Sequence, residues 1–161
     1  MKSLAVFTTI TLLIVSLHST PAMAASKSAT VPSSKDKCPV CGMFVAKYPD
    51  WIAAAQTKDG VTFYFDGPKD LFTHYFNPGR YTPGKKQSDI SGLSVKEYYS
   101  LKMIDAKSAF FVIGSDVYGP MGAELIPFAS QKDAASFMND HKGKRILRFG
   151  DITPQLLKDL K

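Results

Sequence analysis

Hydrophobic and polar positions divide the chain into an apolar head, a polar stretch and a longer region of short alternating segments. Residues 4–17 form an apolar run interrupted only by Thr and Ser. Residues 25–37 (ASKSATVPSSKDK) are polar and carry no apolar period, the pattern of a flexible leader. A single folded domain is expected over residues 38–161. Within it, residues 51–57 and 61–65 read as strands on either side of Asp59-Gly60, a strong hairpin signal. Asp66 as cap and Pro68 just inside the first turn predict a helix running to Phe76, and Asn77-Pro78-Gly79 ends it.

Residues 80–94 are rich in Gly, Pro and polar side chains and read as a connector, with a short helix following near residues 95–101. Further strands are expected at 102–105, 109–113, 124–129 and 145–149, with Pro127 marking an edge or a bulge. Residues 114–122 form a loop between two of them. Ser130 predicts a capped helix to about His141, stopped by Gly143, and Thr153 with Pro154 predicts a short C-terminal helix. Phe65-Asp66-Gly67-Pro68-Lys69-Asp70 aligns with Phe128-Ala129-Ser130-Gln131-Lys132-Asp133 at a constant offset of 63. This is either an internal duplication or the coincidence of a common strand-to-helix turn. The fold class is α+β in both cases, with two ββα units and helices packed on antiparallel sheet.

The head changes the picture of where the protein works. Lys2, the apolar run, Pro21 and Ala22-Met23-Ala24 make a secretory signal over residues 1–24 with cleavage after Ala24, the alternative being an uncleaved anchor. No Cys follows the run closely, so a lipid anchor is not expected, and no later segment is apolar for long enough to span a bilayer. The expected location is the periplasm. The formal charge of the 161 residues is +6. Removing the head takes away Lys2 and no acid, leaving +5. The basic residues are dispersed, with no run longer than Lys85-Lys86, which together with export argues against a nucleic-acid partner.

Candidate chemistry is concentrated in Cys38-Pro39-Val40-Cys41-Gly42-Met43. Thiolate and thioether are soft donors that select Cu(I). In extended backbone, Cys41 and Met43 point to the same face, and Gly42 permits a tight bend between them. A structural zinc site fits poorly, because there is one Cys pair and His74 and His141 are far apart in sequence. A c-type haem is excluded by Gly42 where a His would follow the Cys pair. Two cysteines with two residues between them also raise a thiol–disulfide oxidoreductase using Cys38 and Cys41, although no strand precedes the pair as a redox helix would need. A binding module with incidental sulfurs is a further alternative. Met121, between glycines in Gly119-Pro120-Met121-Gly122, is either a third thioether ligand or a loop residue over the core. His74 reads as an ordinary helix histidine and His141 as one that compensates a helix dipole. Asp105, Asp116 and Glu124 read as surface or turn acids. No hydrolytic triad, phosphate-binding glycine loop or paired catalytic carboxylate stands out, so no enzyme activity is expected.

These residues carry a resemblance. Cys41-Gly42-Met43 looks like the Cys-x-Met of the NosL family, copper-binding accessory proteins of nitrous oxide reductase assembly. Residues 109–116, Tyr118-Gly119-Pro120-Met121-Gly122, Ile126-Pro127-Phe128 and the Ala134-Ala135-Ser136-Phe137 helix are similar to that family's second ββα unit. The resemblance implies a periplasmic Cu(I) chaperone that binds the metal through Cys41 and Met43, with Met121 in a loop that can face the site. It implies as partners an exported copper enzyme, nitrous oxide reductase or another, and a copper-delivering membrane protein. Two features depart from the family: many members are lipoproteins, and Cys38 is an additional thiol. That thiol either tightens the site or closes it as a disulfide when copper is absent.

Overall fold

A computed structural model describes residues 31–160; the signal segment and residues 25–30 of the leader lie outside them. Nine strands and four α-helices are present among these residues. The first unit begins with β1 (Ala53–Thr57), β2 (Thr62–Phe65), helix α1 (Pro68–Phe76) and the short α2 (Pro78–Tyr81), then β3 (Ile90–Lys96) and β4 (Met103–Asp105). The second has β5 (Phe110–Ile113), a small hairpin of β6 (Tyr118–Gly119) and β7 (Gly122–Ala123), then β8 (Ile126–Phe128), α3 (Gln131–Asp140), β9 (Arg145–Arg148) and α4 (Pro154–Asp159).

The strands form two main antiparallel sheets, ordered β2-β1-β3-β4 and β8-β5-β9. Each unit places its first strand in the middle, pairs its second strand on one side, and returns through a helix to pair the next strand on the other. The internal echo therefore extends one strand beyond the expected ββα, to ββαβ in both halves. Pro127 sits in β8, an edge strand of its sheet. An edge tolerates the missing N–H, and the Pro127 carbonyl still accepts a bond from the Tyr98 N–H at 3.0 Å.

Two expectations fail between Arg80 and Leu101. Most of β3, residues 90–94, lies in the stretch read as connector, and no helix forms over residues 95–101. Leu93 and Val95 are buried at a period of two while their neighbours are less so. Ser91 and Gly92 interrupt that alternation in the sequence, and the pairing with β1, Ala55 opposite Leu93 and Ala53 opposite Val95, overrides their weak strand preference. Leu101 closes the following turn in the left-handed region at φ 56°. The predicted caps divide. Ser130 caps α3 by accepting from the Asp133 N–H, and Thr153 caps α4 by accepting from the Leu156 N–H. The N-cap of α1 is Gly67 rather than Asp66, and it makes no side-chain cap bond.

A shared apolar core joins the two units. Phe72 of α1 meets Phe111 of β5 edge-on at 5.3 Å and Phe149 at 5.8 Å. Phe65, Leu71, Val95, Leu125 and Leu147 are fully or almost fully buried in the same cluster. A second cluster lies under α3, where Phe137 packs on Phe128 and Tyr98. Ser130→Ala should lower stability by about 1 kcal/mol through loss of one cap, seen in urea unfolding as a lower midpoint with an unchanged slope.

Upstream of Cys38, Pro32 is buried, and the Asp36 carbonyl accepts from the Val45 N–H at 3.0 Å. The packed structure thus takes in the end of the stretch read as leader.

Candidate metal centre

Lys37 and Phe44 form an isolated antiparallel bridge that closes a six-residue loop at its base. Inside it the Cys38 N–H donates to the Met43 carbonyl at 2.8 Å, and the Gly42 N–H donates to the Cys38 carbonyl at 2.9 Å. Gly42 takes φ +78°, a left-handed turn that a residue with a Cβ rarely adopts. Backbone N–H groups of the loop, those of Val40 and Cys41 toward Cys38 and that of Met43 toward Cys41, offset part of the effect of burial on the two thiols. Such donors favour the anionic thiolate. Cys38 is buried at 1% exposure, whereas Cys41 and Met43 are only partly covered. The two cysteines are free thiols.

Facing the loop are two carboxyl groups. Asp66 lies between the end of β2 and the start of α1, and Asp70 lies in the first turn of α1; both are buried. The Cys38 thiol donates to Asp70 Oδ2 at 3.2 Å and the Cys41 thiol to Asp66 Oδ1 at 3.2 Å. One donor atom from each of Cys38, Cys41, Asp66 and Asp70 lies within 4.8 Å of every other. The second oxygen of Asp66 is buried with no hydrogen-bond partner among the described residues. Burial is the main reason both thiols are held protonated, pushing Cys41 up to about 12 and Cys38 higher still, with the nearby carboxyl groups adding to the effect. Burial likewise raises the Asp70 carboxyl.

The acid pair was not expected from the sequence, where Asp66 stood as a helix cap. The offset of 63 carried the signal: it sets Ser130, the true cap of α3, opposite Gly67, which is the true start of α1. Asp66 is then left without a capping role, and Asp70, in the first turn of α1, faces the same loop.

Met121 lies at the tip of the β6–β7 hairpin with 45% of its surface exposed. Lys69 ties this hairpin to α1, its ammonium donating to the carbonyls of Met121 at 2.9 Å and Ala123 at 2.8 Å. Glu124 reinforces that junction and corrects the reading of it as a surface or turn acid. It is 3% exposed, and its Oε1 accepts from the backbone N–H groups of Lys69 at 2.6 Å and Leu125 at 2.9 Å. A Cβ on Gly67 would meet the Glu124 carboxyl, so a larger residue there would have to displace that side chain.

Burial raises the Glu124 carboxyl to about 8, offset in part by its backbone donors and Lys69. The folded state therefore keeps a proton that the unfolded chain releases near its ordinary value of 4.5. This contribution to stability is fully present below pH 4.5 and is lost as pH rises through 8. Glu124→Gln should flatten the decline of stability between pH 5 and pH 8 by roughly 3 kcal/mol. Urea unfolding at both pH values checks this, and parallel curves for the two proteins would contradict it.

His74 is fully buried in α1. Its Nε2 lies 2.9 Å from Thr82 Oγ1, and its ring packs on Phe63 and Phe65. Burial lowers it to about 4, so it stays neutral. His141 ends α3, stacks on Phe137 at 4.3 Å and bonds Asp116 at 3.1 Å.

The fold and the cluster together define a two-unit α+β domain in which Cys38, Cys41, Asp66 and Asp70 converge on the loop that also carries the partly buried Met43, a set of donors able to hold a metal ion. Residues 29–157 match the NosL family model, and the chain belongs to that family. Over 126 residues it is 35% identical to the copper-binding lipoprotein NosL of Stutzerimonas stutzeri. That match covers 77% of this chain and 65% of the relative, so just under two thirds of the relative's length is represented. The fold is similar to the crystal structure of the copper chaperone NosL from Shewanella denitrificans, with a TM-score of 0.68 and 27% identity over 81% of this chain and 98% of that one.

Proposed function

We propose that this protein is an exported, non-enzymatic carrier of Cu(I). It takes the ion on Cys41 and Met43, completes the site with Cys38 or Met121, and passes the ion to an exported copper enzyme. The observation that carries this reading is the placement of the Cys41 and Met43 sulfurs. Both residues are only partly buried, two residues apart on one closed loop that also carries the buried Cys38. Soft, low-coordinate donors at a surface favour Cu(I) and its exchange with a partner's ligands. The relatives described as a copper-binding lipoprotein and as a copper chaperone support the same cargo.

The expected setting is the periplasm, reached through the signal segment with cleavage after Ala24. No helix among the described residues is long and apolar enough to cross a membrane. The client is nitrous oxide reductase or another exported copper enzyme, and the source of the ion is a copper-delivering membrane protein. The rival reading, a thiol–disulfide oxidoreductase, has less support. Neither Cys38 nor Cys41 opens a helix, and burial pushes both thiols away from the reactive thiolate.

The test is transfer. Cu(I)-loaded protein mixed anaerobically with copper-free nitrous oxide reductase should raise the enzyme's copper content and activity faster than the same free Cu(I) buffered by a chelator. Equal rates from both sources would remove the chaperone role for this client.

A further inference from the structure

We propose that the outer rim of the sulfur loop is a docking surface for an acidic protein face, with Phe44 as its apolar anchor and Lys37 and Lys47 as its charged arms. The assignment rests on the carrier reading of the loop and names the chemistry of the partner which that reading requires. The partner presents carboxylates around an apolar hollow, beside its own copper ligands.

Phe44 directly follows Met43 and pairs with Lys37 at the base of the loop. Its backbone is extended and its neighbour Val45 is fully buried, so Phe44 faces outward, with 39% of the residue exposed. Lys37 Nζ stands 4.9 Å and Lys47 Nζ 5.7 Å from the centre of its ring. Both lysines are exposed, and neither makes an ion pair among the described residues. Two like charges gathered on one ring repel each other, and the nearest acids in the chain do not relieve them. Asp66 and Asp70 are buried, and the Asp36 carboxylate accepts from the Ser33 N–H at 2.6 Å. Lys35 adds a third exposed cation at the foot of the loop. The β6–β7 hairpin, tied by Lys69 to the first turn of α1, brings the exposed Tyr118 and Met121 to the end of that helix which faces the loop.

Aromatic and methionine side chains are enriched at the centres of protein interfaces, with charged residues at the rim. Rim charges govern encounter rate and salt dependence more than final affinity. That suits a brief contact which ends once the ion has moved. The unpaired cations supply the sign: an acidic face relieves their repulsion, and a basic one adds to it. An anionic membrane is a poorer fit, since such surfaces are held by clusters of about four to eight cations, more than Lys35, Lys37 and Lys47 supply.

Two fluorescent peptides serve as probes, each built around one Leu and one Met, flanked by aspartates in one and by lysines in the other. They are added at low salt to the reduced, copper-free mature protein. The aspartate peptide should bind about tenfold more tightly or better, with the preference fading at high salt, and NMR shifts should map to residues 35–47. Lys37→Glu combined with Lys47→Glu should abolish the preference. Phe44→Ser should weaken the aspartate peptide by about tenfold with its salt dependence intact. Lys158→Glu, beside Phe76 at the far end of α1, should leave the preference in place. Far-ultraviolet circular dichroism reports that the variants fold, and if one does not, the preference and shift map of the unaltered protein decide. Because no copper is present, a separate titration showing no Cu(I) binding would sink the carrier reading and leave the acidic partner standing. Equal or absent binding of the two peptides, shifts elsewhere on the protein, or a preference lost equally in Lys158→Glu would overturn the proposal. Binding to phosphatidylglycerol vesicles without discrimination between the peptides would also overturn it, and would assign the surface to a membrane.

Discussion

Cys41→Ser should lower Cu(I) affinity by about a thousandfold, about 4 kcal/mol, in anaerobic competition against a chromophoric chelator. Cys41 offers the less buried of the loop's two sulfurs, which would give up its proton on binding Cu(I), and a serine hydroxyl is a hard, neutral donor at neutral pH that Cu(I) disfavours. Met43→Ala should cost less, about tenfold, because a neutral thioether adds a weaker bond and the thiols remain. Cys38→Ser should fall between the two. The order matters more than the sizes. If Met43→Ala proved as damaging as Cys41→Ser, the thioether would be a principal anchor, and if neither change mattered, copper would sit elsewhere.

The second large effect concerns the joint between the two repeated units. Phe72→Ala should destabilise the protein by about 3–5 kcal/mol. Phe72 is fully buried in α1 and touches Phe111 of β5 and Phe149 beyond β9. Its removal leaves a cavity between the units rather than within one of them. Equilibrium unfolding should remain a single transition at a lower midpoint, because both units share that core. Two separated transitions in the variant would instead show that each unit is stable without the other.

The hairpin, helices α1, α3 and α4, and the caps at Ser130 and Thr153 were legible because each rests on local chemistry. Asp59-Gly60 turns β1 into β2, and Ser130 and Thr153 open their helices with a side-chain oxygen on the third residue along. β3 was not legible, since Ser91 and Gly92 hide an alternation that only pairing with β1 enforces. In the site, the sulfur loop was read from spacing alone, because Cys38, Cys41 and Met43 are neighbours in the chain. Asp66 and Asp70 lie 25 and 32 residues from the thiols they contact, a distance that no local pattern bridges. Glu124 was hidden for a similar reason. A glutamate between loop and strand ordinarily faces water, and only the docking of the hairpin on α1 through Lys69 and Gly67 buries it.

Copper K-edge X-ray absorption on reduced protein loaded anaerobically with one Cu(I) per chain reads out whether the loop sulfurs hold the ion. The spectrum should show a low-coordinate Cu(I) shell dominated by two or three sulfur donors and depleted by one sulfur in Met43→Ala. A shell of oxygen and nitrogen alone, or failure to form any one-to-one complex, would contradict it.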